Sequence, residues 1–507
     1  MNGPRRNPSE FKSPLVYLAM YDGLVATLTP TAGPQDPPSS GVGIRVTALE
    51  TAGLGNRCHV ASDGRVAVVV DPPRDVDRCL ALCGRLGARI TWILETHVHN
   101  DYLSGGLELA RITGAGYGLA AAEEVAFAEG RTALSDGDVI ETGAMRLRAV
   151  QTPGHTPHHL AYVLEEAATG RPLALFSGGS WLHGTAGRTD LLGEALTREL
   201  SHAQWTSIRR LAAELPDSVE LRPTHGFGSF CAAGVTPGGE PGTLGDERPT
   251  QAALRLDEAA FVRQLIAGLV AHPSYYARMG PLNRRGPGPI DLRPAPEAGP
   301  EELARRVAAG EWIVDLRPRR AFAGAHAEGW INLEAGDDFA TYLGWLLPWG
   351  TPVTLAAEDA AVVADAHRAM ARIGIDRPAA QVARPFEEWA GEVGRRSYPR
   401  ARFADLAAAG GGSAPPQVVD VRRDDEWRAR HIAGAHHLPV TELGDRIGEA
   451  AELSRRGPLW VHCEAGFRAS IAASLLDARG IPVVLVDDRL AEASGAGLEL
   501  VGGAAPG

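Results

Sequence analysis

Short apolar runs, each closed by a polar or acidic residue, alternate along this chain with stretches whose apolar positions recur every three or four residues. Regular patterning begins near Val46. The runs 65–70, closed by Asp71, and 89–94, closed by Glu95 and Thr96, read as strands; 75–86 and 107–113 read as helices. That alternation predicts a layered α/β architecture with function at strand ends. A long helix is predicted over 254–269. After it come Pro273 and the Gly/Pro/Arg-rich stretch 280–300, which reads as interdomain coil. A second break is expected at 395–402. Residues 1–43, rich in Pro, Ser and Gly, predict a disordered extension. Its apolar segment 15–28 follows Arg5, Arg6 and Lys12, but Asp22 and Gly23 interrupt it, so no signal peptide is expected. No apolar run reaches the roughly 18 residues that a bilayer span needs.

The last 200 residues or so contain a repeat. Asp315, Arg317, Phe322, His326, Gly329 and Leu333 recur as Asp420, Arg422, Trp427, His431, Gly434 and Leu438, always 105 positions apart. Two copies of one fold are therefore expected. In the second copy the apolar strand 458–462 delivers Cys463, and a helix over 469–478 stops at Gly480. A thiol at such a turn sits among backbone N–H groups at the positive end of a helix dipole, which favours the nucleophilic thiolate. Arg468 adds a fixed cation, and Gly466 lets the backbone curl round the sulfur. The same cradle would hold a persulfide or an oxyanion. At the matching positions of the first copy stand Glu358 and Val363, so that copy is expected to lack this chemistry.

A second cluster is made of histidines. In TWILETHVHNDYLSGG (91–106) a strand ends and releases His97, His99 and Asp101 at alternate positions. His155 follows another strand end in Thr-Pro-Gly-His, and His225 stands in Pro-Thr-His-Gly. Neutral imidazoles converging from separate loops make a site for Zn²⁺ or Fe²⁺. His158 and His159 are expected to belong to the onward strand.

Composition narrows the classes. At 507 residues about three domains are expected. Fifty basic against 62 acidic residues give a net charge of −12, which argues against a nucleic-acid or membrane-surface partner. Five cysteines are too few and too scattered for a disulfide scaffold, so free thiols and a cytoplasmic location are expected. Cys79 and Cys83 share a predicted helix without a companion pair, and core packing is the expectation for them.

The segment Asp420-Val-Arg422, HIAGAHHLP and the six-residue loop Cys463 to Arg468 resemble rhodanese domains, which are sulfurtransferases; Glu464 is a departure from the usual loop. Residues 45–240 resemble the metallo-β-lactamase superfamily, closest to its glyoxalase-II-like and persulfide-dioxygenase-like branch, through the histidine segments, TPGHTPHHLAYVL and GRTDLLG. That branch carries a histidine where this chain has Tyr102 and an aspartate ligand where it has Gly179. The resemblance implies an αββα metallo-β-lactamase sandwich followed by two α/β rhodanese-like domains. The implied boundaries are 1–43 (extension), 44–272 (metallo-β-lactamase-like, with a helical C-terminal extension), 273–299 (linker), 300–394 (rhodanese-like, non-catalytic), 399–500 (rhodanese-like, catalytic) and 501–507 (tail). At most one divalent metal is expected, Fe²⁺ favoured and Zn²⁺ the alternative, on His97, His99 and His155 with His225 nearby. Asp101 and Asp190 are alternatives for the missing acid, and Arg188 is the expected cation for an anionic sulfur substrate. The implied activity is oxidation of a low-molecular-weight persulfide (of glutathione or a similar thiol) to sulfite, coupled to sulfur transfer through Cys463. The alternatives are thioester hydrolysis, or sulfur transfer alone on a metal-poor scaffold. Whether the chain forms a homo-oligomer is left open.

Overall fold

The computed structural model describes residues 43–127, 130–226, 228–234, 242–390, 394–411 and 415–502. The expected extension, Gly43 aside, and its apolar segment lie outside them. The chain divides into two units, Met1–Leu269 with Tyr276–Ile290, and Val270–Tyr275 with Asp291–Gly507. Among the described residues no helix is long and apolar enough to cross a membrane.

The first unit is built on two sheets. One has six strands in chain order, Arg45–Thr51, Asn56–Ser62, Val66–Val70, Arg89–Leu94, Gly116–Ala120 and Thr132–Leu134; its first three strands run antiparallel and the last four parallel. The other has five, ordered Glu220–Pro223, Pro172–Gly178, Leu160–Glu166, Met145–Gln151 and Val139–Thr142. Alternate side chains of the two inner faces, Val68, Val70 and Leu94 from one and Leu147, Leu164 and Phe176 from the other, form one core. Each such side chain contributes about 1.5–3 kcal/mol by leaving water. The outer faces are covered by helices: Asp77–Arg85 and Gly106–Thr113 on the first sheet, Glu194–Glu214 and Glu258–Ala267 on the second. The result is the αββα sandwich. Cys79 and Cys83 are buried on the first of these helices, as core residues.

Two sequence expectations are corrected here. The helix expected over 254–269 is two, Ala252–Arg255 and Glu258–Ala267, because Asp257 caps the second by accepting from the Ala260 N–H at 2.8 Å. The stretch expected as a linker contains the helix Tyr276–Arg285, which belongs to the first unit. Its buried Tyr276, Met279, Gly280 and Asn283 follow helical spacing, a pattern hidden in the sequence by the surrounding Gly, Pro and Arg.

In the second unit, elements of the two copies superpose in sequence at the 105-residue offset. Trp312–Asp315, Arg319–Gly324, His326–Ala327 and Ile331–Asn332 correspond to Gln417–Asp420, Asp424–Ala429, His431–Ile432 and His436–His437. Each copy centres on a parallel sheet, Trp312–Asp315 beside Val353–Ala357 in the first and Gln417–Asp420 beside Leu459–His462 in the second. Glu358 directly follows the strand Val353–Ala357 and is exposed; Val363 is buried in the helix Ala360–Arg372.

Candidate functional site

Four strand ends meet in the first unit. The Val66–Val70 strand ends at Asp71, whose φ of 53° is in the left-handed region that side chains other than glycine seldom occupy. Its carboxylate ties neighbouring loops together. Oδ1 accepts from the Thr96 N–H at 2.7 Å, Oδ2 from Thr96 Oγ1 at 2.8 Å and from the Thr224 hydroxyl. These bonds hold Asp71 at about 2: burial would raise it, but His99 and these donors outweigh burial.

The loops so fixed bring His97, His155 and His225 together, with their ligand atoms all within 4.8 Å of one another and all three residues buried. Hydrogen bonds assign the tautomers. Thr96 Oγ1 donates to Asp71, so it accepts from His97 Nδ1 at 2.9 Å. His155 Nδ1 donates to the Arg188 carbonyl at 2.7 Å, and His225 Nδ1 donates to Asn56 Oδ1 at 3.0 Å. Each Nε2 is therefore a bare lone pair. Those of His97 and His225 lie 3.2 Å apart, and that of His155 is buried without a partner. Burial pushes the imidazolium form of His155 down to about 3 and that of His97 well below its ordinary value, with neighbouring imidazoles adding to the effect. Lone pairs at this separation repel one another; one divalent cation relieves that repulsion, and the donor set fits it.

His99 does not join this trio, although the sequence placed it there. Its Nε2 lies 3.2 Å from Asp71 Oδ1, 3.3 Å from Glu95 Oε2 and 3.1 Å from the Tyr102 hydroxyl. Burial would lower His99, but the two carboxylates outweigh it and raise it to about 10. His225 takes the place expected for His99. Asp101 lies beside it, with Oδ2 accepting from Asn56 Nδ2 at 2.8 Å and lying 3.3 Å from His225 Nδ1, while Oδ1 is buried without a partner. His99, Asp101 and His225 form a second such group, and Asp71, Glu95 and His99 a third.

The two departures have structural counterparts. The Tyr102 ring stacks on His99 with centroids 4.4 Å apart, and its hydroxyl donates to the Asp71 carbonyl. At Gly179 a Cβ would fall on the His155 ring, with Nε2 only 2.7 Å away. His155 thus fills the space a side chain at 179 would need. His159 accepts from the Gly179 N–H at 3.1 Å and stacks on His97 at 5.0 Å, so it lines the cluster just ahead of its strand. Arg188 corrects another expectation. It is buried, forks onto Asp190 at 2.7 Å through both nitrogens and reaches the Phe230 carbonyl, so it braces His155 instead of presenting a charge to substrate. Asp190 is held in that pair. Sequence reasoning missed Asp71, Glu95, Asn56 and Asn283; of these Asp71 and Glu95, already marked as strand-closing acids, carried a signal.

In the second unit the strand Leu459–His462 delivers Cys463 to the N-terminus of the helix Phe467–Asp477. Gly466, at φ 91°, turns its N–H onto Cys463 Sγ at 3.2 Å. Cys463 is 2% exposed. Arg468 is held by Glu426, with Nη2 donating to Oε1 at 2.7 Å. Glu464, next in sequence to Cys463, is held by Arg422 at 3.3 Å and Arg430 at 3.1 Å.

The rhodanese-like domain family matches residues 404–489. Over 129 residues the chain is 40% identical to a human hydroxyacylglutathione hydrolase-like protein, covering 24% of this chain and 43% of that one. It is 33% identical over 174 residues to a probable metallo-hydrolase of Burkholderia pseudomallei strain 1710b, covering 30% of this chain and 57% of that one. The chain spans about half the length of the curated relatives it matches. Among solved structures, a metallo-β-lactamase from Staphylococcus aureus aligns with 68% of this chain and 99% of its own, at TM-score 0.60 and 26% identity. This is a protein of metallo-β-lactamase fold that also carries a rhodanese-like domain. It has hydroxyacylglutathione hydrolase relatives, and the rhodanese-like domain at 404–489 holds Cys463.

Proposed function

We propose that this protein is a sulfur-handling enzyme of two parts. Cys463 carries sulfane sulfur as a persulfide and hands it to a thiol. The first unit, with one divalent metal on His97, His155 and His225, converts a low-molecular-weight persulfide and O₂ to sulfite: R–S–SH + O₂ + H₂O → R–SH + SO₃²⁻ + 2 H⁺. Bound there, Fe²⁺ would supply O₂ activation. The chain's own part is to hold three bare Nε2 lone pairs in place through Thr96, Arg188 and Asn56. The observation that carries the proposal is the convergence of those lone pairs on one point, with no room at Gly179 for the acid a two-metal centre would share. The first rhodanese-like copy, with Glu358 where a cysteine would stand, is read as a spacer without transfer chemistry.

A second reading, zinc-dependent thioester hydrolysis, is favoured by the hydroxyacylglutathione hydrolase relatives. Elemental analysis of protein from metal-replete medium, with O₂ uptake on glutathione persulfide and turnover of an acyl-glutathione thioester, separates the two. Iron with O₂ uptake supports the first; zinc with thioester turnover replaces it by the second. His97→Ala and His155→Ala should each reduce bound metal to well under one ion per chain, and undiminished metal would place the centre elsewhere.

A further inference from the structure

Cys463 transfers sulfur, on the reading above, yet Arg468 of its own loop and Arg422 of the Asp-x-Arg turn are already engaged. Arg468 is clamped by Glu426, and Arg422 is forked onto Asp420 while also reaching Glu464. Glu464 adds a carboxylate beside the sulfur. Neither Arg468 nor Arg422 is thus an uncommitted cation for an anionic reactant.

The other side of the loop differs. A cleft of about 840 Å³ begins at Ala465, two residues past the thiol, and is walled by Arg319, Arg320, Arg402 and Arg489. Arg400 lines an adjoining pocket that shares Arg320, Arg402 and Asp487. Arg319, Arg320 and Arg400 all reach toward the single carboxylate of Asp487, at 2.8, 3.0 and 4.0 Å. Arg319 is also paired with Glu334, whereas Arg320 and Arg400 have no acid but Asp487 among the described residues. Arg402 and Arg489 are exposed and make no ion pair among the described residues. Asp488 accepts from the Phe403 N–H, Glu492 is a further acid on the wall, and Asp405, which lines the adjoining pocket, accepts from the Arg402 backbone N–H. The five arginines here face as many acids, Asp487, Asp488, Glu492, Asp405 and Glu334, and Arg402 and Arg489 are the two left without an ion pair among the described residues. The cleft is also coupled to the loop: Arg319 donates to the Ala465 carbonyl at 3.4 Å, and a Cβ on Gly466 would collide with Asp487.

From these features we infer that the cleft is the docking site for an anionic low-molecular-weight thiol, the sulfur acceptor of Cys463, whose carboxylate or phosphate groups are held by Arg320, Arg402 and Arg489. The inference rests on the sulfur-carrier reading of Cys463. A volume of this size far exceeds a bare inorganic sulfur anion and lies in the range of sites for cofactor-sized molecules. Guanidinium forks match carboxylates and phosphates in two-point geometry. In the step itself the docked thiolate R–S⁻ attacks the outer sulfur of Cys463–S–SH. The new S–S bond forms as the old one breaks, Cys463 leaves as thiolate, the proton stays on the transferred sulfur, and R–S–SH departs. No external oxidant or reductant is needed.

The test uses the full-length protein, loaded with sulfane sulfur at Cys463, and three acceptors: coenzyme A (phosphates), glutathione (carboxylates) and uncharged 2-mercaptoethanol. The variant Arg320→Glu/Arg489→Glu should raise the KM for an anionic acceptor, relative to that for 2-mercaptoethanol, at least tenfold. A rise with coenzyme A alone identifies a phosphate handle, and one with glutathione alone a carboxylate handle. An unchanged ratio for both overturns the inference. Should the double variant not fold, a salt titration of the unaltered protein serves: the same ratio should climb between about 0.02 and 0.5 M NaCl as screening shortens, and a flat ratio is equally fatal. Transfer that persists in Cys463→Ser would instead remove the sulfur-carrier reading, whatever the arginines do.

Discussion

At position 179 the absence of a side chain creates the space that the His155 ring fills. Gly179→Asp, designed to supply the acid that the wider branch carries, should therefore lower bound metal instead of adding a second ion, because the new Cβ displaces His155. Elemental analysis showing two ions per chain in that variant would contradict this. A second contrast at this scale lies in the paired Asp-x-Arg turns. Asp315 and Asp420 each accept a fork from the arginine two residues on, yet burial leaves Asp315 raised, while for Asp420 the nearby His462 and Arg422 outweigh burial and hold it below its ordinary value. The signs follow by linkage. Asp420 binds its proton more weakly folded than unfolded, so its contribution is complete above about pH 4 and is lost as pH falls through its folded value. Asp420→Asn should thus narrow the stability difference between about pH 7 and pH 3 in urea titrations, whereas an unaltered difference would mean that this carboxylate carries none of it. Asp315 has the opposite sign: its stabilisation is present below the unfolded value and falls as pH rises toward the folded one.

At the scale of elements, the helix Tyr276–Arg285 shows how a segment that reads as coil can serve the site. Asn283 Nδ2 donates to the carbonyls of His99 and Tyr102, both at 2.8 Å, and its Oδ1 accepts from the Ser104 N–H at 2.9 Å. It pins both ends of the histidine loop. Asn283→Ala leaves two buried carbonyls and a part-buried N–H without this partner, at about 1–3 kcal/mol for each buried group, and should lower both the melting temperature and the metal affinity; an unchanged metal affinity would show that the loop holds its shape without it. This helix was not legible because its periodicity is carried partly by Gly280 and Asn283, which no hydrophobic pattern records. What could be read had a strong local signature. Apolar strands closed by acids, the turn at Cys463 and the 105-residue repeat each depend on residues near in sequence. The site's composition was legible only in part. His97, His155 and His225 were named, but that Asp71 and Glu95 draw His99 aside depends on residues up to 28 positions apart meeting at the ends of two adjacent parallel strands. Arg188 looked like a binding cation because nothing local showed that Asp190 and the Phe230 carbonyl would claim it.

At the scale of the whole molecule, each unit has its own core and its own candidate chemistry. The lone pairs of His97, His155 and His225 are held by Thr96, Asn56 and Arg188, all in the first unit; Cys463 is held by Gly466 and by a helix terminus in the second. No residue named for one site lies in the unit that carries the other, so the two activities should separate. Stripping metal with a chelator at neutral pH should abolish O₂ uptake on a persulfide while leaving transfer from Cys463 to cyanide within about twofold. Cys463→Ser should do the converse, losing transfer and keeping a full complement of metal. Glu358→Ala, at the matching place in the first copy, should leave both readouts unaltered, since its exposed carboxylate faces no nucleophile there. If chelation also stops sulfur transfer, the metal centre supports the fold or the chemistry of the second unit, and the description of two self-sufficient sites fails.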